Sequence, residues 1–158
     1  MTSTIVGQVS IGALAFLVIA AAILDMRSYT IPNWLAASVL LGFAASLFGS
    51  YSGLSVLGLH IAAALMMLLV GFLLFSLNVF GGGDAKLIAA IALWTSFAAL
   101  PRFLLVMSIS GGLLALIILL RRCLLIHTSE ALDRRLPYGV AIAIAGLDFC
   151  WQQINLGN

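Results

Sequence analysis

The chain has 158 residues, of which 64% are hydrophobic and only 8% are charged, and its formal net charge is +2. Soluble domains are roughly one quarter charged, so this composition excludes a single water-soluble core, which needs more polar side chains to cover it. Together with a mean hydropathy of +1.25, it predicts an all-α polytopic membrane protein.

Six apolar stretches predict six transmembrane helices in a single domain over residues 1–158. They are rich in Leu, Ala and Ile without strand-like alternation, which favours helices over a barrel. A spanning helix needs roughly 17–25 residues, so six of them use nearly the whole chain. In chain order the stretches are residues 5–24, 34–50, 54–77, 85–100, 103–120 and 138–155.

The basic residues predict how these helices are oriented. In a six-helix serpentine, Arg102 lies on one face and the other six of the seven basic residues lie on the opposite face. The positive-inside rule makes that second face cytoplasmic and places both termini outside. Residues 121–137 then form a cytoplasmic loop, interpreted mainly as an anchor on anionic lipid. The six residues are Arg27, Lys86, Arg121, Arg122, Arg134 and Arg135.

Two carboxylates are predicted to lie at the same depth on the cytoplasmic side: Asp25 at the end of the first helix and Asp84 at the start of the fourth. An Asp costs roughly 2.5–3.5 kcal/mol at the centre of a transmembrane helix and less near the interface, so a function is the default interpretation. Carboxyls within about 3 Å of each other share a proton. Such a pair can hydrolyse a peptide bond without a metal or cofactor, because one group activates water while the other protonates the carbonyl oxygen.

The residues around the two aspartates have both structural and functional interpretations. Gly81, Gly82 and Gly83 predict irregular backbone before Asp84, including positive φ, against which an extended substrate peptide can lie. Lys86 is two positions beyond Asp84 and points to another side of a helix, so it is interpreted as a headgroup anchor.

A second group of residues lies near Asp25. Arg27 is two positions beyond Asp25, so it also points to another side of the helix unless the first helix has already ended. Pro32, Asn33 and Trp34 are typical of a helix start and an interfacial anchor.

From the residues alone, two alternatives to hydrolysis stay open. The aspartates can be two unrelated interfacial caps, or they can belong to a proton- or ion-coupled transporter, which also uses broken helices and acidic residues. Their position at the membrane boundary favours hydrolysis. The apolar stretch "AKLIAAIALW" after Asp84 also lacks the polar residues that a transport path requires.

Three motifs resemble those of the type IV prepilin peptidases: "DMRSYTIPNW" at 25–34, "GGGDAKLIAA" at 81–90 and "LPYGVAIAIAG" at 136–146. The resemblance implies an intramembrane aspartic endopeptidase of the bacterial inner membrane. It would cut the leader from prepilins or pseudopilins at the cytoplasmic boundary, with Asp25 and Asp84 as the catalytic pair. Supporting or substrate-binding roles are implied for Gly81, Gly82, Gly83, Lys86, Arg27, Pro32, Asn33, Pro137, Tyr138 and Gly139.

The compact chain resembles the peptidases of tight-adherence, or Flp-type, pilus systems, so a Flp-type prepilin is the expected substrate. The larger family members carry a paired-cysteine domain and also methylate the new N-terminus; this sequence has no paired-cysteine motif, so methylation is not expected. Prepilins and membrane lipid are the expected partners, and no cofactor, metal or nucleic acid is expected. A non-catalytic transporter or pilus-assembly scaffold is the alternative.

Two further polar residues are assigned lesser roles. His60, in the third helix and toward the outer side, is expected to be packed or interfacial. Asp148, within the last apolar stretch, is expected to hydrogen-bond or to extend toward Gln152 and Gln153. A role of Asp148 in substrate or helix packing is the alternative.

Overall fold

The computed structural model describes residues 5–48, 53–79, 81–124 and 137–156, and every regular element in these ranges is an α-helix. The all-helical prediction is therefore confirmed. The helices are α1 (Ile5–Ser28), α2 (Asn33–Leu47), α3 (Leu54–Ser76), α4 (Gly82–Leu124) and α5 (Tyr138–Leu156). By length and composition, α1, α3 and the Gly82–Arg121 part of α4 can each cross a membrane, and α2 is a shorter apolar helix.

The predicted fourth and fifth helices both lie in α4, and the break between them is at Ser96. Its φ of 53° and ψ of −175° are not helical. The sequence-based boundary near Arg102 is therefore wrong. Pro101 lies inside the helix just beyond the first turn after the break, where its missing N–H removes only one helical hydrogen bond. Hydropathy alone could not reveal a reversal made by the dihedral angles of one serine.

Helix α5 runs antiparallel to α1. The first turn of α5 contacts the last turn of α1, where the Gly139 amide donates to Asp25. Two turns later in α5, a Cβ on Gly146 would lie 3.1 Å from Cγ1 of Val18 in the middle of α1. The start of α5 and the end of α1 therefore share one end of the bundle.

The second part of α4 also runs antiparallel to α5, which shows that the chain reverses at Ser96. Soon after the break, Arg102 pairs with Asp148, toward the far end of α5. Further along, the Ser110 hydroxyl lies 3.4 Å from the carbonyl oxygen of Ala141, near the start of α5. The second part of α4 thus returns to the end of the bundle where α5 begins.

Small residues allow α4 to pack at the centre of the bundle against α2, α3 and α5. A Cβ on Gly71 of α3 would lie 2.8 Å from the Ala85 Cβ, so these two helices approach as closely as their backbones permit. Many large apolar side chains, by contrast, face outward; Phe16 is 71% exposed and Leu41 is 70% exposed. An apolar exterior around a packed interior is what a lipid environment requires.

The ends of α1 and α4 differ from the predicted ends, which changes where Asp25 and the predicted loop lie. Helix α1 continues to Ser28, so Asp25 lies in its last turn. Helix α4 continues to Leu124, so the predicted loop at 121–137 does not begin at Arg121. Residues 125–136, including Arg134 and Arg135, lie outside the described residues, and the cytoplasmic location of this segment stays a prediction.

Candidate active site

Asp25 is held at the end of α1 by the start of α5. Its side chain is buried, with 4% exposure, and its Oδ2 accepts a hydrogen bond of 2.6 Å from the Gly139 amide. The chain leaves α1 immediately afterwards, because Tyr29 adopts a φ of 50° while its amide donates to the Asp25 carbonyl oxygen. Such a left-handed residue is a common helix ending.

Gly139 can serve as this donor because it is the second residue of α5. The first amides of a helix have no partner within the helix, and Asp25 accepts one of them. The helix begins directly after Pro137, whose carbonyl oxygen accepts the Val140 amide. A Cβ on Gly139 would lie 2.7 Å from the Asp25 Cβ, so only glycine permits this approach.

Asp84 is the third residue of α4 and is half-buried. Its Oδ2 accepts a hydrogen bond of 3.2 Å from the Gly81 amide, and the Ala85 amide donates to the Gly81 carbonyl oxygen. An acidic side chain that reaches back from the third position is one half of a capping box. Sequence and local geometry therefore orient this carboxylate at the helix start.

The close approach of Gly83 to Ile31 brings the two aspartates to the same place. A Cβ on Gly83 would lie 2.6 Å from the Ile31 carbonyl oxygen, so the first turn of α4 rests on the segment that links α1 to α2. In this arrangement the charges of Asp25 and Asp84 are close enough to interact. The location of both carboxylates at one end of the bundle thus has a packing cause.

The predicted role of the glycine run is wrong in one respect. Gly82 and Gly83 are helical, and none of the three glycines has a positive φ. Gly83 is required for contact with Ile31, and Gly82 faces the Phe75 ring, whose nearest atom would lie 3.5 Å from an added Cβ. Their small size permits close packing, and of the three glycines Gly81 is the one that lies outside regular structure.

A sequence model of the type IV leader peptidase family matches residues 12–116, which is more than half of the chain and includes both aspartates. The chain belongs to the type IV leader peptidase family. No curated protein and no solved structure gives a significant match. Family membership and the apolar helices make this leader peptidase a membrane protein. Because the match ends before α5, the contact of Gly139 with Asp25 is known from the structure alone.

Lys86 of the leader peptidase connects α4 to α2. Its Nζ donates a hydrogen bond of 2.8 Å to Oδ1 of Asn33, the first residue of α2. Its observed hydrogen bond is thus with Asn33 and not with Asp84, and its role as a headgroup anchor stays a prediction. Pro32 directly precedes α2 in extended conformation, and Trp34 is 58% exposed, which agrees with a helix start followed by an interfacial side chain.

Two further residues that the sequence predicts to support the site are Arg27 and Tyr138. Arg27 is exposed, and its side chain makes no hydrogen bond with any residue in the described ranges. Tyr138 is half-buried beside Gly139 and lines a cavity of about 230 Å³ together with Gly111 and Gly112. No three His, Cys, Asp or Glu side chains of the described residues come together as metal ligands.

Asp148 has structural partners far from the aspartate pair. Arg102 contacts both of its carboxylate oxygens at 2.9 Å, and Gln152 donates to Oδ2 at 2.7 Å. The predicted contact with Gln152 is confirmed. Sequence reasoning misses the partnership with Arg102 because it assigns that residue to the connection between two helices.

His60 is packed in the interior, as predicted. It is 8% exposed, and its Nδ1 lies 2.7 Å from the carbonyl oxygen of Leu93 in α4. Because Leu93 follows Asp84 by more than two helical turns and precedes the break at Ser96, this contact lies well away from the aspartate pair.

Proposed function

We propose that this leader peptidase is an aspartic endopeptidase that removes the leader of type IV prepilins or pseudopilins at the cytoplasmic membrane boundary, with Flp-type prepilins as its preferred substrates. The supporting observation is the convergence of Asp25 and Asp84 from separate helices at one end of an apolar bundle. Each carboxylate is oriented by one backbone amide, Gly139 for Asp25 and Gly81 for Asp84.

In the proposed reaction, the two carboxyl groups share one proton. The ionised group removes a proton from a water molecule, which attacks the scissile carbonyl carbon, while the protonated group donates to the carbonyl oxygen. The tetrahedral intermediate then collapses as a proton is returned to the leaving nitrogen. Asp25 and Asp84 therefore exchange acid and base roles, and the pair ends the cycle with the proton count at which it began.

The decisive test is cleavage of a co-expressed Flp-type prepilin, followed by gel shift and N-terminal sequencing of the product. We expect the wild-type chain to cleave, and Asp25→Asn and Asp84→Asn each to leave only precursor, because Asn keeps the size but cannot cycle a proton. Asp148→Asn is the matched control, since it removes a carboxylate at the other end of the bundle. Normal processing by either active-site variant at matched membrane levels would refute the two-aspartate mechanism.

Failure of the wild-type chain to cleave is a separate outcome. If no Flp-type prepilin is cut, other type IV prepilins and pseudopilins are tested in the same cells. If none of these is cut, the peptidase assignment of this particular chain fails, and a non-catalytic transporter or pilus-assembly scaffold becomes the better interpretation.

We also propose six membrane crossings in the bacterial inner membrane, with both termini outside. The reversal of the chain at Ser96 supports this, because it divides α4 into two antiparallel segments. Alkaline phosphatase, which is active only after export, provides the test. A fusion after Tyr29 should be inactive and a fusion after Ala98 should be active. The opposite pattern would invert the topology and place the aspartates outside.

A further inference from the structure

A cavity of about 550 Å³ lies at the end of the bundle opposite the two aspartates. It is bordered by the first turns of α1, by the end of α2, by the start of α3, by the Ser96 break in α4 and by the end of α5. This volume falls within the range of roughly 300–1,000 Å³ that is typical of small-molecule sites. The proposed peptidase reaction does not use this cavity.

Its walls are aromatic and apolar. The Phe43 ring lies 5.5 Å from the His60 ring and 5.6 Å from the Trp94 ring, the latter in an edge-to-face arrangement. Phe149 of α5 lines the same space. Aromatic side chains held in this way form a surface against which an alkyl chain can pack.

The cavity also collects buried polar side chains. In the part of the chain that the structure describes, five polar or charged residues are buried, and four of them line this cavity. The fifth is Asp25. Ser96 and Gln153, which also line the cavity, are half-buried. The four buried residues are Ser10, Ser46, His60 and Thr95.

The hydrogen-bond donors of these buried side chains are already engaged by backbone carbonyl oxygens. A hydroxyl whose proton is used in this way still has an oxygen lone pair that can accept. The Trp94 indole N–H, which has no acceptor function, is engaged as well. The bonds are Ser10 to Val6 at 2.7 Å, Ser46 to Phe43 at 2.6 Å, Thr95 to Ala92 at 3.3 Å and Trp94 to Val39 at 3.1 Å.

His60 adds a further acceptor. A backbone carbonyl oxygen can only accept, so the Nδ1 that contacts the Leu93 oxygen must carry a proton. In the neutral ring, Nε2 then has a lone pair. No residue of the described ranges hydrogen-bonds to Nε2, although the side chain is more than nine-tenths buried. A buried acceptor with no partner among the described residues is a place where a hydrogen-bond donor can bind.

We infer that this cavity binds an amphiphile whose polar end donates hydrogen bonds, such as an alcohol or a primary ammonium group. The apolar part of the ligand packs against Phe43, Trp94 and Phe149. Its polar end donates to His60 Nε2 and to the neighbouring hydroxyl oxygens. The chemical class follows from the buried lining. The lining offers apolar surface and hydrogen-bond acceptors, whereas its own hydrogen-bond donors are already engaged by backbone carbonyl oxygens.

Trp94 can report the binding directly, since it lines the cavity. The other two tryptophans, Trp34 and Trp151, are exposed and can be replaced by Phe in the full-length chain. The probe is ω-bromoundecanol, whose bromine quenches indole fluorescence, and the comparator is its methyl ether, which lacks the donor. We expect saturable quenching of Trp94 by the alcohol, with an affinity about tenfold higher than that of the ether.

Side-chain variants distinguish binding through hydrogen bonds to the cavity's acceptors from simple partitioning of the probe into an apolar space. Combined Ser10→Ala, Ser46→Ala and Thr95→Val substitutions remove the hydroxyl acceptors at little cost in shape and, because His60 Nε2 remains, should lower the affinity for the alcohol part of the way toward that of the ether. Ser38→Ala is the matched control, because Ser38 makes the same kind of bond to its own helix outside the cavity. Ala98→Phe, at an exposed position that borders the cavity, should abolish saturable quenching.

Two results would overturn the inference. Equal affinities of alcohol and ether in the unsubstituted background would mean apolar partitioning only. Absence of saturable quenching by either probe would mean a cavity that holds water only.

If the alcohol does bind, bilayers of brominated phosphatidylethanolamine and brominated phosphatidylcholine identify the source of the natural ligand. Stronger quenching by the first assigns the donor to a lipid headgroup, and equal quenching assigns it to a free amphiphile.

Discussion

Gly139 and Asp25 approach so closely that no side chain fits between them: the Gly139 amide lies 2.6 Å from Oδ2, and an added Cβ would lie 2.7 Å from the Asp25 Cβ. Helix α5, outside the range matched by the family model, therefore contributes directly to the position of a proposed catalytic carboxylate.

Gly139→Ala should separate α5 from α1 and disturb Asp25. Overpacking of this kind costs about 1–3 kcal/mol, and we expect a lower unfolding temperature together with strongly reduced prepilin processing. Gly112→Ala is the control, because an added Cβ there meets nothing within 4 Å. Both variants are compared by gel shift at matched membrane levels. Full processing by Gly139→Ala would show that the observed contact does not position the carboxylate.

Gly83→Ala tests the second close approach, between the first turn of α4 and Ile31. The new methyl group would meet the Ile31 carbonyl oxygen at 2.6 Å and push Asp84 away from Asp25. We expect processing to fall while membrane insertion is retained, because the displacement is confined to a helix end. Gly12→Ala, with open space around its added Cβ, should process normally. Equal activity of the two variants would contradict a positioning role for Gly83.

Lys86 and Asn33 should affect processing through the one hydrogen bond that joins them. An exposed bond of this kind contributes about 0.5–1.5 kcal/mol to stability, so Lys86→Met and Asn33→Ala should each lower the free energy of unfolding by about that amount and slow processing. The double variant should be no slower than the slower single variant, because both remove the same contact. Arg121→Met, at an exposed basic position of α4, is the control. If Asn33→Ala has no effect while Lys86→Met does, Lys86 acts as a lipid anchor instead.

Ser96→Gly should stabilise the protein. The φ of 53° and ψ of −175° at Ser96 belong to a region that only glycine adopts freely, and such strain costs of order 1–3 kcal/mol. Glycine relieves this strain, although it also adds entropy to the unfolded chain. Because we expect the relief of strain to be the larger effect, the unfolding temperature in detergent should rise. Ser108→Gly, at an exposed helical position of the same α4, should lower it. Lower stability of both variants would mean that Ser96 carries no strain.

Much of the fold was predictable because lipid imposes strong rules on sequence. Long apolar runs must become helices to satisfy their backbone groups, and the structure forms helices at each of the six predicted stretches. Asp25 and Asp84 could be predicted to share one end because they terminate and begin helices on the same side of a serpentine. The resemblance agreed with the family match, which covers the first two of the three motifs.

The sequence by itself determined the membrane class and the helical architecture, and it singled out the two candidate carboxylates, since hydropathy, charge placement and motif order are properties of the linear chain. Only the tertiary structure decided that Ser96 makes the reversal, that Gly83 contacts Ile31 and that Gly139 holds Asp25. These features depend on approaches of a few ångströms between distant segments and on the dihedral angles of single residues. Neither leaves a periodic signal in the sequence, and both arise only when the helices pack together.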